Sequence, residues 1–219
     1  MTKAESKVID FIKKHILLFL LVAVTIIAIF LRICGMDFQS DDFNSFLNSW
    51  WSIIKLNDFT GLATQVGNYN IPYQVIIYLM TLLPLNALYA YKIVSIIFDF
   101  VLAISTAMLV YSFAKNNRRL KAILTYSAVL LSATVIFNSS FWAQCDSIYT
   151  SFIILAILFL HKDKPIASFV FIGIAFAFKL QTIFIIPVLL YYWISTKKIS
   201  ILHFFIIPAV DVIMCLPAI

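Results

Sequence analysis

The sequence predicts an all-helical bundle, polytopic in a lipid bilayer, and three observations predict it. Of the 219 residues, 63% are hydrophobic and only 12% are charged, whereas soluble domains are roughly half apolar and a quarter charged. No soluble core of this length could enclose so much apolar surface, and the mean hydropathy is +1.01. Finally, the apolar residues fall in runs near the length of a bilayer crossing, about 17 to 25 residues, and basic residues punctuate the gaps. The formal net charge of +6 is therefore spread among loops. It forms no single patch, which excludes a nucleic-acid surface and fits a membrane protein oriented by its loops.

The N-terminus starts like a signal peptide, with Lys3, Lys7, Lys13 and Lys14 before an apolar run. Ile16–Leu31 is followed by Arg32 and by no small-x-small cleavage site, so an uncleaved first span is expected. Spans are expected at 15–33, 88–113, 119–137, 147–161, 165–180, 182–196 and 199–218. Together they make residues 1–219 one transmembrane domain. Residues 34–70 form the first loop, and 71–84, bounded by Pro72 and Pro84, is too short to cross. That segment suits a re-entrant or interfacial helix. The chain ends on apolar Leu216-Pro217-Ala218-Ile219 and reads as the front of a longer protein.

Charge decides sidedness. The lysines before the first span place the N-terminus in the cytoplasm. If 71–83 only dips, then the loop Lys115–Lys121, the loop His161–Lys164 and Lys197-Lys198 all fall inside. If it crosses, the densest basic loop moves outside, so the dip is favoured. Asp37, Asp41 and Asp42 then share an extracytoplasmic face with the loop 138–147. In the other topology Asp42 and Asp146 face opposite compartments. The expected location is the cell membrane, multi-pass.

Three polar sets stand out. In the first loop, Phe43, Phe46, Leu47, Trp50 and Trp51 recur at helical spacing behind Ser40-Asp41-Asp42. This predicts an amphipathic helix capped by Ser40 or Asp41, lying on the membrane with its aromatic face down. The two acids serve equally as first-turn residues favoured by the dipole. Trp142-Ala143-Gln144-Cys145-Asp146-Ser147-Ile148-Tyr149-Thr150 is the most polar stretch between two spans. Asp146 or Ser147 can cap the next helix, and Trp142 and Tyr149 suit an interfacial belt. Lys92 and Lys179 lie at outer ends of spans against the positive-inside trend, either snorkelling or holding a lipid phosphate. Asp99 lies inside an apolar span, where an acid is costly and is a functional suspect. His15, His161 and His203 read as interfacial, and Asp211 has no assigned role. Cys34, Cys145 and Cys215 have no metal spacing, and a Cys34–Cys145 disulfide is open on sidedness alone. No phosphate-cradling glycine loop, nucleophile elbow or zinc motif occurs.

The run Asn138-Ser139-Ser140-Phe141-Trp142-Ala143-Gln144-Cys145-Asp146-Ser147-Ile148-Tyr149-Thr150, with Phe178-Lys179-Leu180-Gln181 and Pro187, resembles the GT-C type multi-spanning glycosyltransferases. Within that type it looks like the bacterial relatives of the GPI mannosyltransferases. Ser40-Asp41-Asp42-Phe43 is similar to that family's first-loop motif, which places its acidic residue on Asp42. Gly67-Asn68-Tyr69-Asn70-Ile71-Pro72-Tyr73 and Tyr91-Lys92 with Phe98-Asp99 also match. Three departures stand out: Ala143 replaces the usual glycine, Ile71 stands where a first proline is common, and the family's members are much longer, so that the seven expected spans would match their shared front module.

The resemblance implies a GT-C-like fold and an inverting transfer of a sugar from a polyprenyl-phosphate donor to a glycan or lipid-linked acceptor at the outer face. Asp42 would be the general base. Asp146 would share the catalytic site, orienting acceptor or sugar together with Gln144, beside Asp41, Trp142, Tyr149 and Gln181. Lys92 and Lys179 would stabilise the leaving lipid phosphate. The helix at 43–51 and the dip would form a slot for the prenyl chain among membrane lipids. No cofactor follows firmly, and for a divalent metal two separated acids are a thin ligand set. Two other readings remain: an inactive truncated relative or scaffold subunit, and a transporter or lipid flippase using Lys92, Asp99 and Lys179 along a path.

Overall fold

The lysine-led apolar run folds as a single helix, α1 (Lys3–Ile33), in the computed structural model of the chain, which describes residues 1–219. A capping box starts it: Thr2 Oγ1 accepts from the Glu5 amide and the Glu5 carboxylate accepts from the Thr2 amide. At 1.5 Å per residue its 31 residues rise about 46 Å, more than a bilayer core. The chain then makes a π-helical turn, Phe43–Leu47, that runs into α2 (Asn48–Asn57), a 3-10 turn at Asp58–Ala63, and α3 (Ile71–Thr81). The 27-residue α4 (Ala87–Phe113) follows, its first turn capped by Asn86. Beyond it lie α5 (Arg118–Leu130), α6 (Ala133–Ile136) with a π turn at Phe137–Phe141, α7 (Asp146–His161) and α8 (Pro165–Phe178). A 3-10 turn leads into α9 (Ile186–Thr196), and two more flank α10 (Ile206–Cys215). There is no strand.

Three stretches are long and apolar enough to cross a membrane: α1, α4 and Ile201–Ala218. A fourth arises if α5 and Ala133–Phe141, bent by 51° to each other, are taken as one. The unbroken span expected at 119–137 is therefore corrected. Its break has a cause in α1: Arg32 Nη1 donates to the Leu130 carbonyl at 3.1 Å and to the Ala28 carbonyl at 3.1 Å. The end of α5 is satisfied by a side chain instead of a further turn. The other apolar helices, α3, α7, α8 and the Leu180–Thr196 pair, each have 10–17 residues. Pro187 near the start of α9 and Pro208 in α10 lack the amide that would carry a helix back across the preceding turn. Those preceding turns are accordingly 3-10.

Side-chain contacts define two ends. At one, Phe113 packs on His161 with ring centroids 3.9 Å apart, and Lys198 pairs with Asp163 at 2.9 Å. At the other, the Tyr89 hydroxyl donates to Asp37 at 2.6 Å and Lys179 pairs with Asp146. Between them, one apolar cluster joins α1, α4 and α5, and a second joins α7 to α10. Close approach helps the second, because a Cβ on Gly173 of α8 would lie 2.6 Å from Val210 of α10.

The third and largest cluster corrects an expectation. The aromatic face of the first loop does not lie down on lipid. Phe43, Leu47, Trp50, Trp51 and Ile54 are buried against Tyr73 and Ile77 of α3 and Tyr91 of α4, and only Phe46 is exposed. The wide π turn rotates Phe46 off the stripe that a regular helix would give. All three cysteines are free, Cys34 exposed and Cys145 buried, so the Cys34–Cys145 disulfide is absent.

Candidate functional site

The loops at the end opposite the basic cluster meet through Ser40. Its Oγ accepts from the Phe43 amide at 3.1 Å, capping the first-loop helix, and donates to the Trp142 carbonyl at 3.2 Å. The second loop is closed on itself, Trp142 N–H to Phe137 O at 2.9 Å and Gln144 N–H to Asn138 O at 2.8 Å. Between these bonds Ala143 takes a φ of +58° and is fully buried. This left-handed residue turns the chain so that Gln144 and Asp146 point out of the bundle.

A third loop closes over them. Gly67 has a φ of +86°, and a Cβ there would lie 2.2 Å from the Trp50 indole. Only glycine lets the backbone lie flat on that ring. Gln74, its amide oriented by its partners, donates to Thr64 O at 3.1 Å and accepts from Val66 N–H at 2.9 Å, anchoring the approach. Asn68 and Tyr69 are carried over the two acids.

The result is two polar sets joined where Lys179 faces the Tyr69 ring. Gln144 Nε2 donates to Asp42 Oδ2 at 2.8 Å, and the Tyr69 hydroxyl donates to Gln144 Oε1 at 2.7 Å. Lys179 Nζ sits 5.3 Å from the Tyr69 ring centre and 5.5 Å from that of Tyr149, and ion-pairs with Asp146 Oδ1. Asn138 Nδ2 donates to Asp146 Oδ2 at 3.0 Å. Asp42 and Asp146, about a hundred residues apart, thus share one network. Burial, reinforced by Cys145, Asp146 and Asp42, pushes the Tyr69 phenol above its ordinary value, so it stays a donor. Burial first, then Asp146, pushes the neighbouring Cys145 thiol up to about 12.

Two cavities flank Asn68 and Tyr69. One of about 150 Å³ is bordered by Asp42, Phe46, Trp50 and Gln144, and one of about 450 Å³ by Phe178, Lys179, Gln181 and Phe184. The first is large enough for a few water molecules and the second for a sugar or a phosphate.

The remaining expected residues divide. Trp142 is half exposed and enters through its carbonyl. Asp41 is exposed beside Asp42 with no hydrogen-bond partner, and Gln181 is exposed at the rim of the larger cavity. Lys92 does not reach the site. Its ammonium is fully buried and donates to three carbonyls, Gly35 at 2.7 Å, Met36 at 3.0 Å and Phe38 at 2.5 Å. It caps the C-terminal turns after α1, where carbonyls are orphaned, and has no donor left for a phosphate. Neither Asp146 nor Ser147 caps α7, which starts at Asp146 without a side-chain cap. Ser147 instead donates to Asp99 at 2.6 Å.

Asp99 lies behind the site. It accepts from Arg32 Nε at 2.9 Å, Ser139 at 2.5 Å and Ser147 at 2.6 Å, all buried. Its hydroxyl partners stand next to Asn138 and Asp146 in the chain, so this buried knot fixes the backbone that presents both. Sequence reasoning read Arg32 only as the end of a span and gave Tyr69 and Asn138 no individual role. The signal was present for Tyr69: a glycine followed by Asn-Tyr-Asn in a chain with only 4 glycines. No His, Cys, Asp and Glu group of metal-binding geometry occurs. No family model, curated protein or solved structure matches the chain.

Proposed function

We propose that the chain is a membrane glycosyltransferase of the GT-C kind, mannosyltransferase-like, moving a sugar from a polyprenyl-phosphate donor to an acceptor hydroxyl at the rim of the bilayer. The GT-C-like fold, seven crossings with α3 as a dip and an extracytoplasmic site belong to the same proposal. One observation carries it: two acids from distant loops come together, Asp42 held by Gln144 and Tyr69 and Asp146 by Lys179, with Lys179 facing the Tyr69 ring.

The chemistry follows from that geometry. Gln144 holds Asp42 Oδ2, which leaves Oδ1 to accept the proton of the acceptor hydroxyl. The acceptor oxygen attacks the anomeric carbon on the face opposite the lipid phosphate. The new glycosidic bond forms as the bond to phosphate breaks, and configuration inverts. The polyprenyl phosphate leaves with the bonding pair, and Lys179, half-buried and already beside an anion, neutralises it. Asp146 orients Lys179, and Tyr69 stays protonated to hold Gln144. Phe46 and Phe184 are exposed at the cavities and offer apolar and stacking surface to a sugar and a prenyl chain. A transporter is served less well, because Lys92 and Asp99 are sealed by internal partners and line no path.

The test uses the full chain in vesicles with a mannosyl polyprenyl phosphate donor and a glycolipid acceptor. Asp42→Asn keeps the shape and the Gln144 contact but removes the base, so transfer should fall by about a hundredfold or more with folding unchanged. Transfer at the wild-type rate would remove Asp42 as the base.

A further inference from the structure

At the end opposite the acids, α1, the last turns of α4 and the start of α5 leave an open groove around Tyr111. Three adjoining cavities of about 610, 530 and 650 Å³ make it up, and all three are bordered by Tyr111. Its inner walls are apolar, from Leu21, Ile104, Ala107, Met108 and Ile123, with Thr25 and Tyr126 bonded to each other at 3.0 Å at the base. Its mouth is basic, from Lys13, Lys14, Lys115, Arg118, Arg119 and Lys162. None of the three linings contains Asp or Glu. The nearest acid in sequence, Asp163, is already paired with Lys198.

We propose that this groove binds one anionic phospholipid, with its phosphate at Arg118 and Lys162 and an acyl chain along α1, α4 and α5. Three observations favour that occupant over neutral lipid. Arg118 stacks on Tyr111 at 4.3 Å and uses only Nε, on the Tyr111 carbonyl, which fixes the guanidinium and leaves both terminal nitrogens free. Lys162 is exposed and has no ion-pair partner. In addition, α5 begins at Arg118 with no side-chain cap and with Arg118, Arg119 and Lys121 in its first turn. Cations at the positive end of a helix are unfavourable unless an anion lies between them. Basic pockets between membrane helices recognise anionic head groups in this way. This inference does not depend on the proposed transferase activity.

Delipidated full-length protein would be mixed in detergent with phosphatidylglycerol or phosphatidylcholine of identical chains, and bound lipid counted by native mass spectrometry. The expected result is one retained phosphatidylglycerol, at least tenfold preferred. Arg118→Gln with Lys162→Gln, at exposed positions, should weaken it about 30-fold. Ala122 borders two of the three cavities, and Ala122→Trp, which fills the groove and keeps every charge, should also release it. Equal retention of both lipids would overturn the proposal. So would full binding by Ala122→Trp, which would leave diffuse charge alone, or displacement by millimolar glycerol phosphate, which would make the ligand a soluble phosphate. If Ala122→Trp does not fold, the exposed double variant still decides.

Discussion

Gln144 can serve two partners because its amide is a donor at one atom and an acceptor at the other, and the structure uses both, toward Asp42 and Tyr69. What places it is Ala143, at φ +58° and fully buried. The left-handed conformation costs an alanine roughly 1–2 kcal/mol. Glycine would relieve that but lose a buried methyl, worth about 0.8 kcal/mol, and add roughly 0.5–1 kcal/mol of chain entropy. Ala143→Gly should therefore leave stability within about 1 kcal/mol of wild type, a value that denaturant unfolding in mixed micelles can check. Ala143→Val should cost about 2 kcal/mol or more, since a β-branched residue resists positive φ and the site has no room. That an alanine stands between Trp142 and Gln144 was legible in the sequence, but its positive φ was not, because φ is set by how the loop closes. Cys145, next in the chain, gives a pH dependence. Burial raises its thiol from 9.0 to about 12. The folded state holds the proton where the unfolded thiol has lost it. The stabilising contribution is thus complete below pH 9.0 and declines as pH rises toward about 12. Alkaline titration of unfolding should show this decline, shallower in Cys145→Ala where only Tyr69 and other buried phenols remain, and a maleimide at neutral pH should label exposed Cys34 and spare Cys145.

At the scale of elements, the knot of Arg32 and Asp99 decides how α1, α4, the bent α5–α6 pair and α7 meet. Arg32 Nε and Nη2 both lie 2.9 Å from Asp99 Oδ2, with two serines completing the carboxylate. A buried pair of this kind adds little relative to apolar packing, but breaking it is expensive, because one charge is stranded. Asp99→Leu should destabilise by about 3–5 kcal/mol, while Asp99→Leu with Arg32→Met should recover much of that. Thermal unfolding of the singles and the double, set out as a mutant cycle, measures the coupling. If the two losses simply add, Arg32 and Asp99 are independent and the knot is not what joins the helices. The sequence made Asp99 conspicuous, since an acid in an apolar run must have a partner. It could not name the partner. Lys92, on the same helix, is drawn to the carbonyls left open at the end of α1, and Arg32 reaches Asp99 from another helix. The first-loop stripe was read correctly as one face and wrongly as lipid-facing. Periodicity reports that a face is apolar, not what covers it, and here α3 and α4 cover it.

The whole molecule separates its charges by end. Loops rich in lysine and arginine gather around Tyr111, and Asp42 and Asp146 lie near Tyr69 at the other end. That polarity was legible, because charge between apolar runs survives any error in helix boundaries. The number of crossings was less so, since three stretches meet the length of a span unaided and the shorter helices depend on their neighbours. The decisive element is α3. Its 11 residues rise about 16 Å, roughly half of a bilayer core of about 30 Å, so it cannot carry the chain across alone. If α3 turns back, Asp42 and Asp146 face one compartment and Asn116 the other. Single cysteines at exposed positions 41, 181 and 116, in a chain with Cys34, Cys145 and Cys215 replaced by alanine, separate the cases. A membrane-impermeant maleimide added to oriented vesicles should modify positions 41 and 181 from the same side, and position 116 only after the membrane is opened. Labelling of 41 and 181 from opposite sides would mean that a bilayer stands between the two acids, and neither Lys179 nor Gln144 could then link them in the membrane.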